Sequence, residues 1–158
     1  MKRSKFTEAQ LAFILRQAEE ARRQLDVVAT LLRDSADQPD IRAVTHDLLG
    51  YLASDLVEAR AHRSAACQAA AAAGYVPLTA KVLVGVADLA LRRGQDEQAA
   101  RLLAASESAR GLPDRSNPDA ARIERETRSR LGDARFAEAA REGPRTSWSQ
   151  LIQVTLAS

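Results

Sequence analysis

Apolar residues recur at intervals of three and four along almost the whole chain, the spacing of helices with one apolar face. The pattern is densest from Lys81 to Ala109, KVLVGVADLALRRGQDEQAARLLAASESA. Here Val82, Leu83, Val86, Leu89 and Ala90 form one stripe, and Ala99, Leu102, Leu103 and Ser106 form a second in the same phase. Between them, Arg93-Gly94-Gln95 predicts a tight reversal. Gly94 can take positive φ and end the first helix, and Asp96 is placed to cap the second. Such a hairpin cannot bury its apolar stripes alone, so it predicts stacked neighbours.

Upstream, Thr7-Glu8-Ala9-Gln10 reads as a capping box that opens a long helix. Leu11, Ile14, Leu15, Ala18, Leu25, Val28 and Leu32 carry it to about Asp34. Asp37-Gln38-Pro39-Asp40 breaks the pattern, with Pro39 in the first turn of the next helix. Ile41, Val44, Leu48, Leu49 and Leu52 continue it. At Ser54-Asp55 the sequence allows either a turn or an unbroken helix. An alanine-rich run then leads to a cap at Gly74, and Pro77 starts the central hairpin. Downstream, Asn117 and Pro118 open a helix to Leu131, Gly132 ends it, and Asp133 is placed to cap a short one containing Phe136, Ala139 and Ala140. After Gly143-Pro144, Ser147-Trp148-Ser149-Gln150 is a second capping box before a terminal helix. The expected organisation is a long helix over 1–36, helical hairpins over 39–110 and capping helices over 117–158.

Composition supports this reading. Only 4% of the 158 residues are aromatic, and alanine supplies much of the 46% hydrophobic fraction. Good helix formers therefore dominate and strand formers are scarce. A net charge of +2, with Lys2, Arg3 and Lys5 alone supplying three positive charges, does not suggest a dedicated nucleic-acid binder. The single cysteine, Cys67, excludes an internal disulfide and fits a reducing compartment. The longest uncharged run, Ser64 to Ala80, is too weakly apolar to span a bilayer, and no secretory signal is evident. The expectation is a cytoplasmic protein without a membrane partner. Leu48-Leu49-Gly50-Tyr51 also matches Leu83-Val84-Gly85-Val86 at an offset of 35, a faint internal repeat.

The spacing Gly94-x-x-x-x-Ala99-Ala100-x-Leu102-Leu103, after a helix with Gly85 and Ala87, resembles the tetratricopeptide repeat. From about Leu48 onward the chain is similar to the C-terminal region of bacterial LuxR-type and antibiotic-regulatory-type transcriptional regulators and signal-transduction ATPases. The residues carrying this are Ala99 to Ala105 with Glu107, then Pro113, Leu131-Gly132, Phe136, Ala139, Gly143 and Ser147. That resemblance implies an all-α fold of antiparallel hairpins stacked as a tetratricopeptide-like repeat. It implies a non-enzymatic sensor or scaffold segment that contacts partner proteins or sister subunits, with no cofactor. Lys2 to Glu19 instead resembles the first helix of insertion-sequence transposase small-reading-frame proteins, although no recognition helix follows.

Candidate chemistry is sparse. Glu58 and His62 share a helix face, with Cys67 and His46 elsewhere, too few convergent ligands for a metal site. No motif for nucleophilic catalysis accompanies them. Phe136 and Trp148 read first as plugs of the core, and the Arg-rich segment from Arg115 to Arg145 as a solvated, salt-laced surface. Tyr51, Tyr75, Leu89 and Trp148 are the candidate residues of a groove for a protein or peptide partner, and self-association through an exposed apolar face is expected. DNA contact through Lys2, Arg3, Lys5 and Arg16 is the weaker alternative.

Overall fold

The computed structural model describes residues 8–33, 38–114 and 116–157. Among the described residues the chain is all-α, with eight α-helices, one 3-10 turn and no strand. In chain order these are α1 (Glu8–Arg33), α2 (Pro39–Leu52), α3 (Leu56–Ala73), α4 (Val76–Arg92), α5 (Asp96–Arg110), α6 (Pro118–Leu131), α7 (Asp133–Glu142), the 3-10 turn Gly143–Arg145, and α8 (Trp148–Ala157). No described helix is long and apolar enough to cross a membrane.

The molecule is built around α4. Every residue from Val82 to Leu91 is buried, and the helix packs against α2, α3, α5, α6 and α8. The single buried stripe expected for this helix is therefore a correction: Val84, Gly85, Ala87 and Asp88 are buried as well. Neighbours on every side, rather than on one, account for this. Leu83, Leu89 and Leu102 are fully excluded from solvent, each worth roughly 2 kcal/mol of burial. Alanines at Ala66, Ala69, Ala70, Ala99 and Ala105 let helix backbones close on this centre.

The breaks follow local chemistry. Pro39, Pro77 and Pro118 each stand in the first turn of a helix, where a missing N–H costs nothing. Gly74 and Gly94 adopt φ of 64° and 73° at the ends of α3 and α4. Ser54-Asp55 is a turn: Asp55 caps α3 by accepting a hydrogen bond from the Glu58 amide at 2.8 Å. Asn117 caps α6 through the Asp119 and Ala120 amides, and Ser147 accepts from the Gln150 amide at 3.3 Å. Two expected caps are corrected. Asp96 and Asp133 are the first residues of α5 and α7, and the cap positions belong to Gln95 and Gly132 without a side-chain bond. Their carboxylates turn instead to Arg130 and Arg128, both at 3.1 Å. The Thr7 capping box and the side chains of Leu11, Val28 and Leu32 lie outside the described residues.

Helix α1 has two halves. Its described side chains from Ala9 to Ala21 are all exposed, including Phe13, Ile14 and Leu15. Further on it packs against α2, Leu25 becomes half-buried, and Arg22 pairs with Glu58 of α3.

Candidate interaction surface

The candidate groove residues do not form one surface. Leu89 is fully buried in a small cluster with Ala53 and Ala59. It cannot line a groove, a correction that follows from the enclosure of α4. Tyr51 is half-buried on α2, its ring 3.9 Å beneath the Arg63 guanidinium. Tyr75 and Trp148 remain on the surface, 60% and 38% exposed. Phe136 is a core plug, packed with Ala100 and Ala139. Trp148 is not, which corrects the reading of that residue as a plug.

Tyr75 and Trp148 belong to two neighbouring depressions that meet at the α3–α4 turn. One, of about 430 Å³, lies between the starts of α2 and α4 and is lined by Ile41, Val44, Tyr75, Pro77, Leu78 and Lys81 among others. The second, of about 230 Å³, lies between α3, α4 and α8, where Cys67, Gly74, Val76, Trp148 and Ile152 contribute. Gly74 and Val76 face one depression, Tyr75 and Pro77 the other. The turn is thus an apolar ridge between two shallow hollows. Ile41 and Val76, each 43% exposed, extend it. Burial pushes the Cys67 thiol up to about 12, so it is a packing group rather than a nucleophile.

Further along the same helices lies a charge cluster that the sequence did not single out. Arg63 of α3 is fully buried. Its Nη1 donates to the Asp47 backbone oxygen at 2.7 Å and to the Asp47 carboxylate. Its Nη2 stands 3.7 Å from the carboxylate of Asp88 on α4. Asp88 in turn accepts from Arg122 of α6 at 2.5 Å. Two glycines make the room. A Cβ on Gly50 would lie 2.7 Å from Arg63 Nε, and one on Gly85 would overlap both Arg63 Nη1 and the Asp47 carboxylate. Burial pushes the Asp47 carboxyl up to about 6 against the pull of Arg63, and also raises the Tyr51 phenol. The Gly50/Gly85 repeat was the available signal. A mid-helix glycine costs about 1 kcal/mol relative to alanine, so two in register point to something large passing close by.

Other arginines bind helix ends and join helices. Arg92 donates to the Gly50 and Ala53 carbonyls at the end of α2, Arg130 to Leu91 of α4, and Arg93 to Thr155 of α8. These are the carbonyls a helix C-terminus leaves without an intrahelical donor. Arg135 reaches Glu97 and Arg101 reaches Glu142, both at 2.6 Å, tying α7 to α5. The segment after Arg115 is therefore more than a solvated surface, because its charges hold α6 and α7 in place.

His46 and His62 face each other across α2 and α3, with Nδ1 atoms 3.1 Å apart. Glu58 is engaged by Arg22 and the Ser54 amide. Among the described residues no group of three or more His, Cys, Asp or Glu side chains is arranged to hold a metal ion. Arg16 is exposed on the first half of α1, whereas Lys2, Arg3 and Lys5 lie outside the described residues. No family model, no curated protein and no solved structure matches this chain.

Proposed function

We propose that this chain is a non-enzymatic helical interaction module of the cytoplasm. On this reading α2–α3 and α4–α5 are successive antiparallel hairpins of a tetratricopeptide-like stack. The module is related to the C-terminal region of bacterial transcriptional regulators and binds a protein or peptide segment, a second copy of itself included. The observation that carries the reading is the apolar ridge at Gly74 to Pro77 with a hollow on either side. Exposed aromatic residues beside shallow apolar hollows suit partner anchors.

Size-exclusion chromatography with light scattering, run over a range of concentrations, tests self-association. An apparent mass that rises with concentration, and returns to the monomer value in Tyr75→Asp, is the expected result. A strict monomer whose ridge residues show no protection in hydrogen exchange at high concentration would remove self-association from the reading. The alternative, DNA contact through the transposase-like N-terminus, rests on Arg16. It requires a salt-dependent mobility shift that vanishes when the first 20 residues are deleted, and no shift at low salt ends it.

A further inference from the structure

A hollow rich in charged groups lies on another face, between α5 and the pair α6–α7, and encloses about 490 Å³. That is within the range of small-molecule sites. Its apolar lining includes Val84, Leu103 and Phe136, contributed by α4, α5 and α7. Five charged side chains surround it: Glu107, Arg110, Asp114, Glu124 and Arg128. Four of these are matched. Arg110 pairs with Asp114 at 2.5 Å and Arg128 with Glu124 at 2.9 Å. Glu107 is left over, with no ion-pair partner among the described residues.

We infer that this cleft is a binding site for a small organic cation, an ammonium group on an apolar body, with Glu107 as its counter-ion. The apolar lining would take the hydrocarbon part and the leftover carboxylate the charge. An anion is disfavoured, because Arg110 and Arg128 each already pair with a carboxylate, while Glu107 feels Arg128 only as the smallest of its influences and makes no direct ion pair among the described residues. A neutral apolar molecule would displace part of the water that hydrates Glu107 and offer its carboxylate no partner in return, which costs affinity. Partial burial and the neighbouring Glu124 already raise the Glu107 carboxyl above its ordinary range, and a bound cation would relieve both effects. The site is separate from the Gly74–Pro77 ridge, so it stands or falls independently of the proposed protein-binding role.

Isothermal titration of the full chain with 2-phenylethylammonium chloride tests this, with 2-phenylethanol as the uncharged counterpart. Saturable binding of one ammonium per chain is expected, with the alcohol at least tenfold weaker. Glu107→Gln should weaken the ammonium at least tenfold and bring the two probes together. Ala121→Trp, which fills the cleft without changing charge, should abolish binding of both. Positions 107 and 121 are exposed, and thermal melts establish that each variant is folded. Should one variant not fold, the other decides. Absence of saturable binding, equal affinity for alcohol and ammonium, or undiminished affinity in a folded Glu107→Gln or Ala121→Trp would overturn the assignment.

Discussion

At the scale of single residues, the Arg63 socket concentrates the most consequential chemistry. An arginine enclosed on all sides needs counter-charge and space. Asp47 and Asp88 supply the first, and Gly50 and Gly85 the second. Removing one partner of such a cluster is costly because the other charge stays buried. Gly85→Ala is expected to lose about 2–3 kcal/mol of stability in urea denaturation, since the new methyl overlaps both charged groups. A pH series checks the sign of Asp47. Its carboxyl titrates at about 6 in the folded chain against an ordinary value of 3.8. The folded state therefore holds the proton longer, and this group's contribution to stability falls as pH rises from about 4 to about 6. His62 acts oppositely: burial lowers its pKa, so its contribution is present above about 6.5 and is lost as pH falls. Asp47→Asn should remove the first slope and His62→Gln the second. None of this was legible from periodicity, which assigns an arginine to the wet side by default. The glycines could be seen, but their common purpose requires α2, α3 and α4 to be brought together.

At the scale of elements, the boundaries were largely readable because short-range chemistry sets them. Pro39, Gly74, Pro118 and Gly132 act within one turn of their own position. Caps one residue out of place were harder. Whether an aspartate is the cap or the first helical residue depends on one backbone dihedral pair, and the arginine that draws Asp96 away, Arg130, is 34 residues distant and cannot be seen locally, although Arg128, which takes Asp133, is only five residues off. This difference is measurable. Asp55→Ala should cost about 1 kcal/mol, as expected for a bonded cap. Asp96→Ala and Asp133→Ala should each cost about half of that or less, since they lose a favourable helix-end charge and an ion pair but no capping bond. Thermal melts of the three variants compare them directly. The central role of α4 was legible in its density of apolar residues. Its enclosure on every side was not, because helical phase reports one preferred face.

At the scale of the whole molecule, arginine ties the outer helices to the centre. Arg122 links α6 to α4, Arg135 and Arg101 link α7 to α5, and Arg93 holds the end of α8. The α5–α7 pairs are open to solvent and therefore screened by salt, whereas the enclosed Arg63 cluster, with Arg122 on its buried Asp88, is not. Raising sodium chloride from 0.1 to 1 M should lower the urea midpoint modestly, and Glu142→Gln should reduce that salt dependence. A salt response unchanged by that variant would mean that α7 is held by Phe136 and its apolar neighbours alone.

The paired glycines around Arg63 also constrain how this sequence can drift. Neither position can gain even a methyl group while the guanidinium fills the space, and the guanidinium cannot be shortened without stranding an aspartate. Single steps away from the present solution therefore lead downhill, although a distant combination need not. A chain carrying Gly85→Ala together with Arg63→Leu and Asp47→Leu should recover much of what Gly85→Ala loses by itself. Such strong epistasis among residues far apart in sequence would make these positions change in concert or not at all.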